Sequence, residues 1–315
     1  MIGFCIEASH RRGLGHLYKT INLIKYFASQ DMRSIVMVND DLKAIEILKQ
    51  SSIKYVTVEL DDISSDWETT IISSYGITVW VNDRLDTDQN HARHVKNNGI
   101  GLVTFDDWGS GAALADLHFA PLVFSEQDKL QGKRVLTGIR YLVLNKEIET
   151  CKRLRYSLDS ILITLGGSDT YGVTIQVVNL LKALNRGATV IVGPAFEHHV
   201  QLKQAMDERF HLKQEVPSLI REFVRHDLAI TGGGVTPFEA NASGLPCVVV
   251  ANEPHEIEIG QYLERSGCSV FAGYYQDIDG SILGKNLNIK EMSNVGMATI
   301  GTDGAANIFR EIIAL

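Results

Sequence analysis

The chain has 315 residues, 45% of them hydrophobic, and a formal net charge of -8. That length supplies a large core and fits two domains better than one, while the acidic balance and the lack of a long basic run exclude nucleic acid as a partner. No apolar run reaches the ~18 residues of a membrane span, no basic-then-apolar leader precedes the first strand, and Cys5, Cys151, Cys247 and Cys268 show no metal-ligand spacing, so a cytoplasmic protein in a reducing compartment is expected.

Short apolar strands alternate with helical patterns through the first half: Ile2 to Glu7, Ser34 to Val38, Tyr55 to Val58, Ile77 to Val81, Gly101 to Phe105 and Leu117 to Ala120. This alternation predicts a parallel sheet with crossover helices. The first strand leads into ASHRRGLGH, Ala8 to His16, and then into a helix with apolar spacing at Leu17, Ile21, Ile24 and Phe27. His16 therefore falls at a helix N-terminus, where the positive end of the dipole favours the neutral imidazole that a general base requires. Gly13 and Gly15 would let it face a ligand; a capping or core histidine is the plainer alternative. Arg11, Arg12 and Lys19 flank it and would either pair with a phosphate or stand as solvated charges.

Two strand ends in this half carry acids, in NDRLDT from Asn82 and in FDDWG from Phe105. Asp83, Arg84, Asp106 and Asp107 are candidate substrate contacts, since strand-terminal polar groups in a cleft hold sugar hydroxyls. They are also ordinary loop residues. The spacing Asp-x-Asp at Asp86/Asp88 and Asp277/Asp279 is a weak metal signal, and neither a metal nor a cofactor is expected to be required.

A polar, irregular stretch from Asn145 to Ser157 interrupts the pattern, and the domain boundary is placed there: residues 1–147 form a sugar- or acceptor-binding catalytic domain and residues 148–315 a nucleotide-binding domain. The second half repeats the alternation, with strands near Ile161 to Leu165, Thr189 to Val192, Asp227 to Thr231 and Pro246 to Val250. Helices are predicted near Val173 to Asn185, Pro217 to Arg225 and His255 to Ser266. The closing helix, Ala305 to Ala314, has no partner assignable from sequence.

Three turns in this half suit an anion. Thr231 to Pro246 reads TGGGVTPFEANASGLP, and Gly232, Gly233 and Gly234 bring backbone close to a ligand while the next helix, with Thr236 in its first turn, aims free N–H groups at it. Glu239 behind them is placed to accept from ribose hydroxyls or to partner the helix dipole. Gly166, Gly167 and Ser168 in LGGSDT offer a second set of donors, with Asp169 either a ligand contact or an N-cap. The third turn, Ala251 to Glu256, contributes Asn252, His255 and Glu256. Neither glycine turn ends in the Lys-Ser/Thr of a P-loop.

In order, GLGH with a basic residue three positions on, FDDWGSG followed by ALADL, GIRYLVL, GGSDT and TGGGVTPFEANASGLP resemble the spore-coat polysaccharide glycosyltransferase-like proteins and the UDP-sugar hydrolase of the pseudaminic acid pathway. The second half also resembles the nucleotide domain of the lipid II-forming GlcNAc transferase. The resemblance covers nearly the whole chain and implies an α/β GT-B fold, two Rossmann-like domains facing each other across a cleft; from that architecture, closure about the Asn145–Ser157 linker is expected. It implies uridine as the base, His16 as the base that activates water, and Glu239 as the ribose ligand. Two positions depart from the pattern: Lys19 stands for the family's arginine, and Asn82-Asp83-Arg84 for an aromatic after the hydrolase's acidic pair, closer to the spore-coat branch.

A diphosphate leaving group needs no protonation, so one base suffices where most glycosidases use two carboxylates. The expected activity is hydrolysis of a UDP-linked amino or deoxy sugar to free sugar and UDP. The alternatives are an inverting GT-B glycosyltransferase and a nucleotide-sugar binding protein without turnover.

Overall fold

The protein is described from a computed structural model, which describes residues 1–8, 15–62, 64–214 and 216–315. It divides into two compact units, residues 1–143 with 303–315, and residues 144–302.

In the first unit the chain runs β1 (Ile2–Ile6), α1 (Gly15–Ala28), β2 (Ser34–Val38), α2 (Leu42–Gln50), β3 (Tyr55–Thr57), α3 (Trp67–Tyr75), β4 (Val79–Asp83), α4 (Gln89–Asn97), β5 (Gly101–Phe105), β6 (Leu117–Ala120) and β7 (Val135–Thr137). The strands form one parallel sheet in the order β3-β2-β1-β4-β5-β6-β7. Alternation along β4 sends Val81 to the core beneath α1 and Trp80 to the core on the other face. Asp83 follows Val81; Asn82 follows Trp80.

The second unit holds α5 (Ile148–Cys151), β8 (Ile161–Thr164), α6 (Val173–Ala183), β9 (Ala188–Val192), α7 (His199–Ala205), β10 (Phe210–Gln214), α8 (Leu219–Phe223), β11 (Leu228–Thr231), α9 (Thr236–Ala242), β12 (Cys247–Ala251), α10 (Glu256–Arg265), β13 (Ser269–Tyr274) and α11 (Ile289–Thr299). Its six parallel strands are ordered β10-β9-β8-β11-β12-β13, the same winding as in the first unit. Both sheets therefore reverse direction once, between β1 and β4 and between β8 and β11. The crevice at such a switch point is where open parallel sheets bind ligands.

The closing helix α12 (Gly304–Ile313) departs from the sequence reading, which grouped it with the nucleotide domain. Ile308 and Ile312 are buried in the core beneath α1, and Phe309 meets the ring of Phe27 edge-on at 5.0 Å. Gly304 passes against the backbone of Leu142 so closely that a Cβ would collide with it. The irregular stretch before β8 is fastened within the second unit by buried Arg155. Its guanidinium donates to the carbonyls of Phe223 at 2.7 Å and His226 at 3.2 Å.

Three strands escape the sequence patterns. β7 is three residues long, and β10 and β13 are edge strands with partly exposed faces, so none shows the continuous apolar run of a buried strand. Cys5 and Cys247 lie buried in strands, as read from the sequence, and burial pushes the Cys5 thiol up to about 12.

Candidate functional site

Two clusters of sequence-flagged residues sit at the two switch points. At the first, β1 and β4 lie side by side with Ile6 opposite Asp83, so the end of β4 comes under the start of α1. His16, Lys19 and Thr20, spaced i, i+3 and i+4, share one face of α1 and converge on that carboxylate. His16 Nδ1 lies 2.6 Å from Asp83 Oδ1, Lys19 Nζ lies 3.0 Å from the same oxygen, and Thr20 donates to Oδ2 at 3.3 Å. Lys19 Nζ also donates to Asp106 Oδ2 at 3.1 Å and sits 4.8 Å from the centre of the Phe105 ring.

The electrostatics close on themselves. Burial disfavours the charge on Asp83, but Lys19 and His16 more than offset it and hold the carboxyl below its ordinary value. Burial likewise pulls against the Lys19 ammonium, and Asp83 and Asp106 raise it nonetheless. An ionised Asp83 accepts from His16 Nδ1–H, so Nε2 is the ring nitrogen left to meet a ligand. The Asp83 side chain is only 1% exposed against 25% for His16, so the histidine is the group that can meet a ligand.

This changes several expected roles. Asp83, expected to touch substrate, lies beneath His16 and orients it. Lys19 is an ion-pair bridge between two carboxylates instead of a free phosphate donor. Arg84 turns to the opposite face of the sheet from Asp83, is 7% exposed, and donates to the Leu60 carbonyl at 3.3 Å. Asp107 is buried and shapes its own loop, accepting from the backbone N–H of Thr87 and of Gly109, each at 2.9 Å, and from the Thr87 hydroxyl. Its own N–H donates to Nε2 of buried His118 at 3.1 Å. Asp106 alone of that pair keeps an accessible side chain, 28% exposed, at a backbone φ of 49°. Gly15 is exposed at the start of α1 with no atom near the place of a Cβ. Gly13, Arg11 and Arg12 lie outside the described residues.

At the second switch point the turn after β8 meets the turns after β11 and β12. Leu165 to Tyr171 and Asn252, Glu253 and Glu256 enclose a cavity of about 160 Å³. Gly166, at φ 95°, Gly167 and Ser168 are exposed along it. Asp169 serves the helix start without being its N-cap, which is Gly172: its carboxylate accepts from Val173 N–H at 2.8 Å and Thr174 N–H at 2.9 Å. Glu256 reaches back so that one oxygen accepts from Gly233 N–H at 3.1 Å and Asn252 N–H at 2.7 Å. It was expected to contact nucleotide; it ties the three-glycine turn to the turn after β12. Asn252 lines the cavity, and its Oδ1 is buried with no hydrogen-bond partner. Gly232 is buried against the Asn252 amide; Gly234 has open space around it. Thr236 opens α9 and His255 is exposed before α10.

Glu239, in the first turn of α9, accepts from Asn145 N–H at 3.4 Å. Burial pushes its carboxyl up to about 7, against the pull of that N–H. In each Asp-x-Asp pair the second acid is a helix cap: Asp88 accepts from Asn90 N–H at 2.7 Å and Asp279 from Ser281 N–H at 3.0 Å. A larger cavity of about 500 Å³, beside β3 and α3, contains none of the expected site residues.

The chain matches no protein-family profile. It is 24% identical over 287 residues to an uncharacterized protein of Methanocaldococcus jannaschii, across 84% of this chain and 58% of that protein, so it spans little more than half of that relative. It is 20% identical over 299 residues to the spore coat polysaccharide biosynthesis protein SpsG of Bacillus subtilis, across 86% of this chain and 83% of that one. Among solved structures, MurG of Acinetobacter baumannii matches with a TM-score of 0.71 at 11% identity, covering 100% and 99% of the two chains. HepE of Anabaena in complex with UDP matches at 0.67 and 13%, covering 100% of both. The UDP-GlcNAc 2-epimerase of Neisseria meningitidis bound to UDP-GlcNAc matches at 0.65 and 13%, again covering 100% of both. The fold is GT-B. Among the described residues no helix is long and apolar enough to cross a membrane.

Proposed function

We propose that the protein is a GT-B enzyme that uses a UDP-sugar and transfers the sugar to water. The observation that carries this reading is the pairing of His16 Nδ1 with the buried Asp83 carboxylate at 2.6 Å, which leaves Nε2 as a general base at the head of α1. Nε2 takes a proton from water as the water oxygen bonds to the anomeric carbon. The bond from that carbon to the diphosphate oxygen breaks, and UDP leaves with the electron pair. Asp83 stabilises the imidazolium that forms, and a base so placed contributes roughly 10²–10⁴-fold. The leaving group is already a weak base, so no second carboxyl acid is required.

The second unit supplies the nucleotide site. Exposed Gly166, Gly167 and Ser168 and the open surroundings of Gly234 offer donors and room around the diphosphate, and Glu239 accepts from the ribose. Relatives and neighbours support a nucleotide ligand, since HepE and the epimerase carry UDP and UDP-GlcNAc. SpsG, named for polysaccharide biosynthesis, favours a second reading in which a sugar hydroxyl replaces water and the enzyme is an inverting transferase. The catalytic residues are the same.

The test is to incubate the purified protein with UDP-linked amino and deoxy sugars, without acceptor, and follow free sugar and UDP by NMR. Repeated release supports hydrolysis, and release only on adding a glycan supports transfer. Binding with no release under either condition leaves a nucleotide-sugar binding protein. Release at the wild-type rate by His16→Ala removes His16 from the mechanism.

A further inference from the structure

On the first unit, on the face of the sheet opposite Asp83, three side chains from two helices crowd together without serving the His16 site. Asp66 caps the start of α3, Glu68 stands in its first turn, and His94 projects from α4. Their ligand atoms all lie within 4.8 Å of one another. We propose that Asp66, Glu68 and His94 form a binding site for one divalent transition-metal ion of the zinc class.

The spacing fits such an ion. Bonds of about 2.0–2.2 Å in tetrahedral geometry put ligand atoms roughly 3.3–3.6 Å apart. His94 Nδ1 is 3.1 Å from Glu68 Oε2 and 3.9 Å from Asp66 Oδ1, so the pairs bracket that range: His94 and Glu68 would part by a few tenths of an ångström and the exposed Asp66 side chain would close in. The charge also fits. Glu68 is 2% exposed, and the ion pairs drawn to both carboxylates come from histidines, which leaves two neighbouring acids to be neutralised by imidazole or by a cation.

The cluster is preorganised in the manner of a metal centre, with outer partners that aim the ligands. Glu68 Oε1 is held by His91 Nδ1 at 2.6 Å, which leaves Oε2 facing the site. His91 Nε2 lies 3.1 Å from Asn82 Oδ1, and that oxygen also accepts from Trp80 Nε1 at 2.8 Å. Asn98 pins the two helices together, donating from Nδ2 to the Thr69 hydroxyl at 2.7 Å and to the His94 carbonyl at 2.8 Å. One imidazole and two carboxylates suit zinc better than magnesium or calcium, which take all-oxygen sets. Three protein ligands leave a coordination position open, and Asp66 also lies on the wall of the 500 Å³ cavity.

The experiment is isothermal titration of the metal-stripped, untagged full-length protein with Zn²⁺, alongside Asp66→Ala, His94→Ala and, as a control, Asp279→Ala. The expected result is one ion per wild-type chain, binding weakened at least about tenfold in each of the first two variants, and no change in the control. Asp66 is exposed and His94 partly so, and circular dichroism of both variants verifies that the fold is kept. The proposal is overturned if the wild type takes up no Zn²⁺, if both variants bind as tightly as wild type, or if Mg²⁺ binds more tightly than Zn²⁺.

Discussion

The two units share one winding and put their candidate sites at the same topological place, yet they fill it with opposite materials. Between β1 and β4 the crevice is built from polar side chains that bind one another: His16, Lys19, Asp83 and Asp106. Between β8 and β11 it is built largely from backbone, with open space around Gly166, Gly167 and Gly234 while Asn252 and Glu256 pack against Gly232 and Gly233. A proton acceptor needs a tuned side chain held by a partner, whereas a diphosphate is met by N–H groups that must come close. On the proposed function, the same fold would yield a reactive end and a holding end, according to whether its strand-end loops carry acids or glycines.

If that division is right, the largest losses come from the first unit. His16→Ala is expected to lower the rate of sugar release about 10²–10⁴-fold with nucleotide affinity nearly unchanged, measured by single-turnover kinetics beside UDP titration. Asp83→Asn should approach the same loss, because the amide can no longer anchor the Nδ1–H tautomer and leaves Lys19 with Asp106 alone. A fall in UDP affinity with turnover intact in either variant would break the comparison.

A backbone substitution sharpens the other half. At Gly233 a Cβ would sit 2.5 Å from Glu256 Cβ and 2.9 Å from the Glu256 carbonyl oxygen, so Gly233→Ala must push the clamp apart. Overpacking of this kind costs about 1–3 kcal/mol, read from urea unfolding, and nucleotide affinity falls with it.

How much of this the sequence showed follows from how local each feature is. The glycine turns were legible because strand, turn and helix start lie within a dozen residues. The chemistry of His16 was half legible: a histidine at a helix N-terminus can be read, but its partner lies 67 residues away and is set by the pairing of β1 with β4. Asp83 and Asp107 look alike as strand-end acids, and only the three-dimensional loop shows that one orients His16 and the other caps Thr87 and Gly109. Arg84 was misread because period two sends it to the face opposite Asp83. Glu256 could have been suspected from its place at the first turn of a helix beside a glycine run, where a carboxylate competes for free N–H groups.

On the proposed function, Glu239 gives nucleotide binding its pH dependence. Its carboxyl titrates near pH 7 because it is buried, so in the free protein the acid form dominates below about 7 and the carboxylate above it. Folded-state affinity for this proton exceeds that of the unfolded chain, so stability from this group is fully present below the ordinary carboxylate range and is lost as pH rises towards about 7. Ribose binding runs the other way, since only the carboxylate accepts from both hydroxyls. UDP affinity is expected to fall about tenfold for each pH unit below about 7 and to level off above it, with Glu239→Gln flattening the profile. An identical profile in that variant would remove Glu239 from the ribose site.

The smallest structural perturbation is Gly167→Ala. Nothing lies within 4 Å of the Cβ it would add, and Gly167 has no positive φ to strain. The free protein should keep its stability within about 0.5 kcal/mol. The added methyl group would nevertheless stand over the cavity between the turns after β8 and β12, in the space assigned to the diphosphate. A loss of about 1.4 kcal/mol there is a tenfold loss of affinity, and it should appear equally for UDP and UDP-sugar but not for uridine. Unchanged UDP binding would move the diphosphate away from this turn while leaving the His16–Asp83 pair untouched, because residues 166–170 belong to the second unit and the pair to the first.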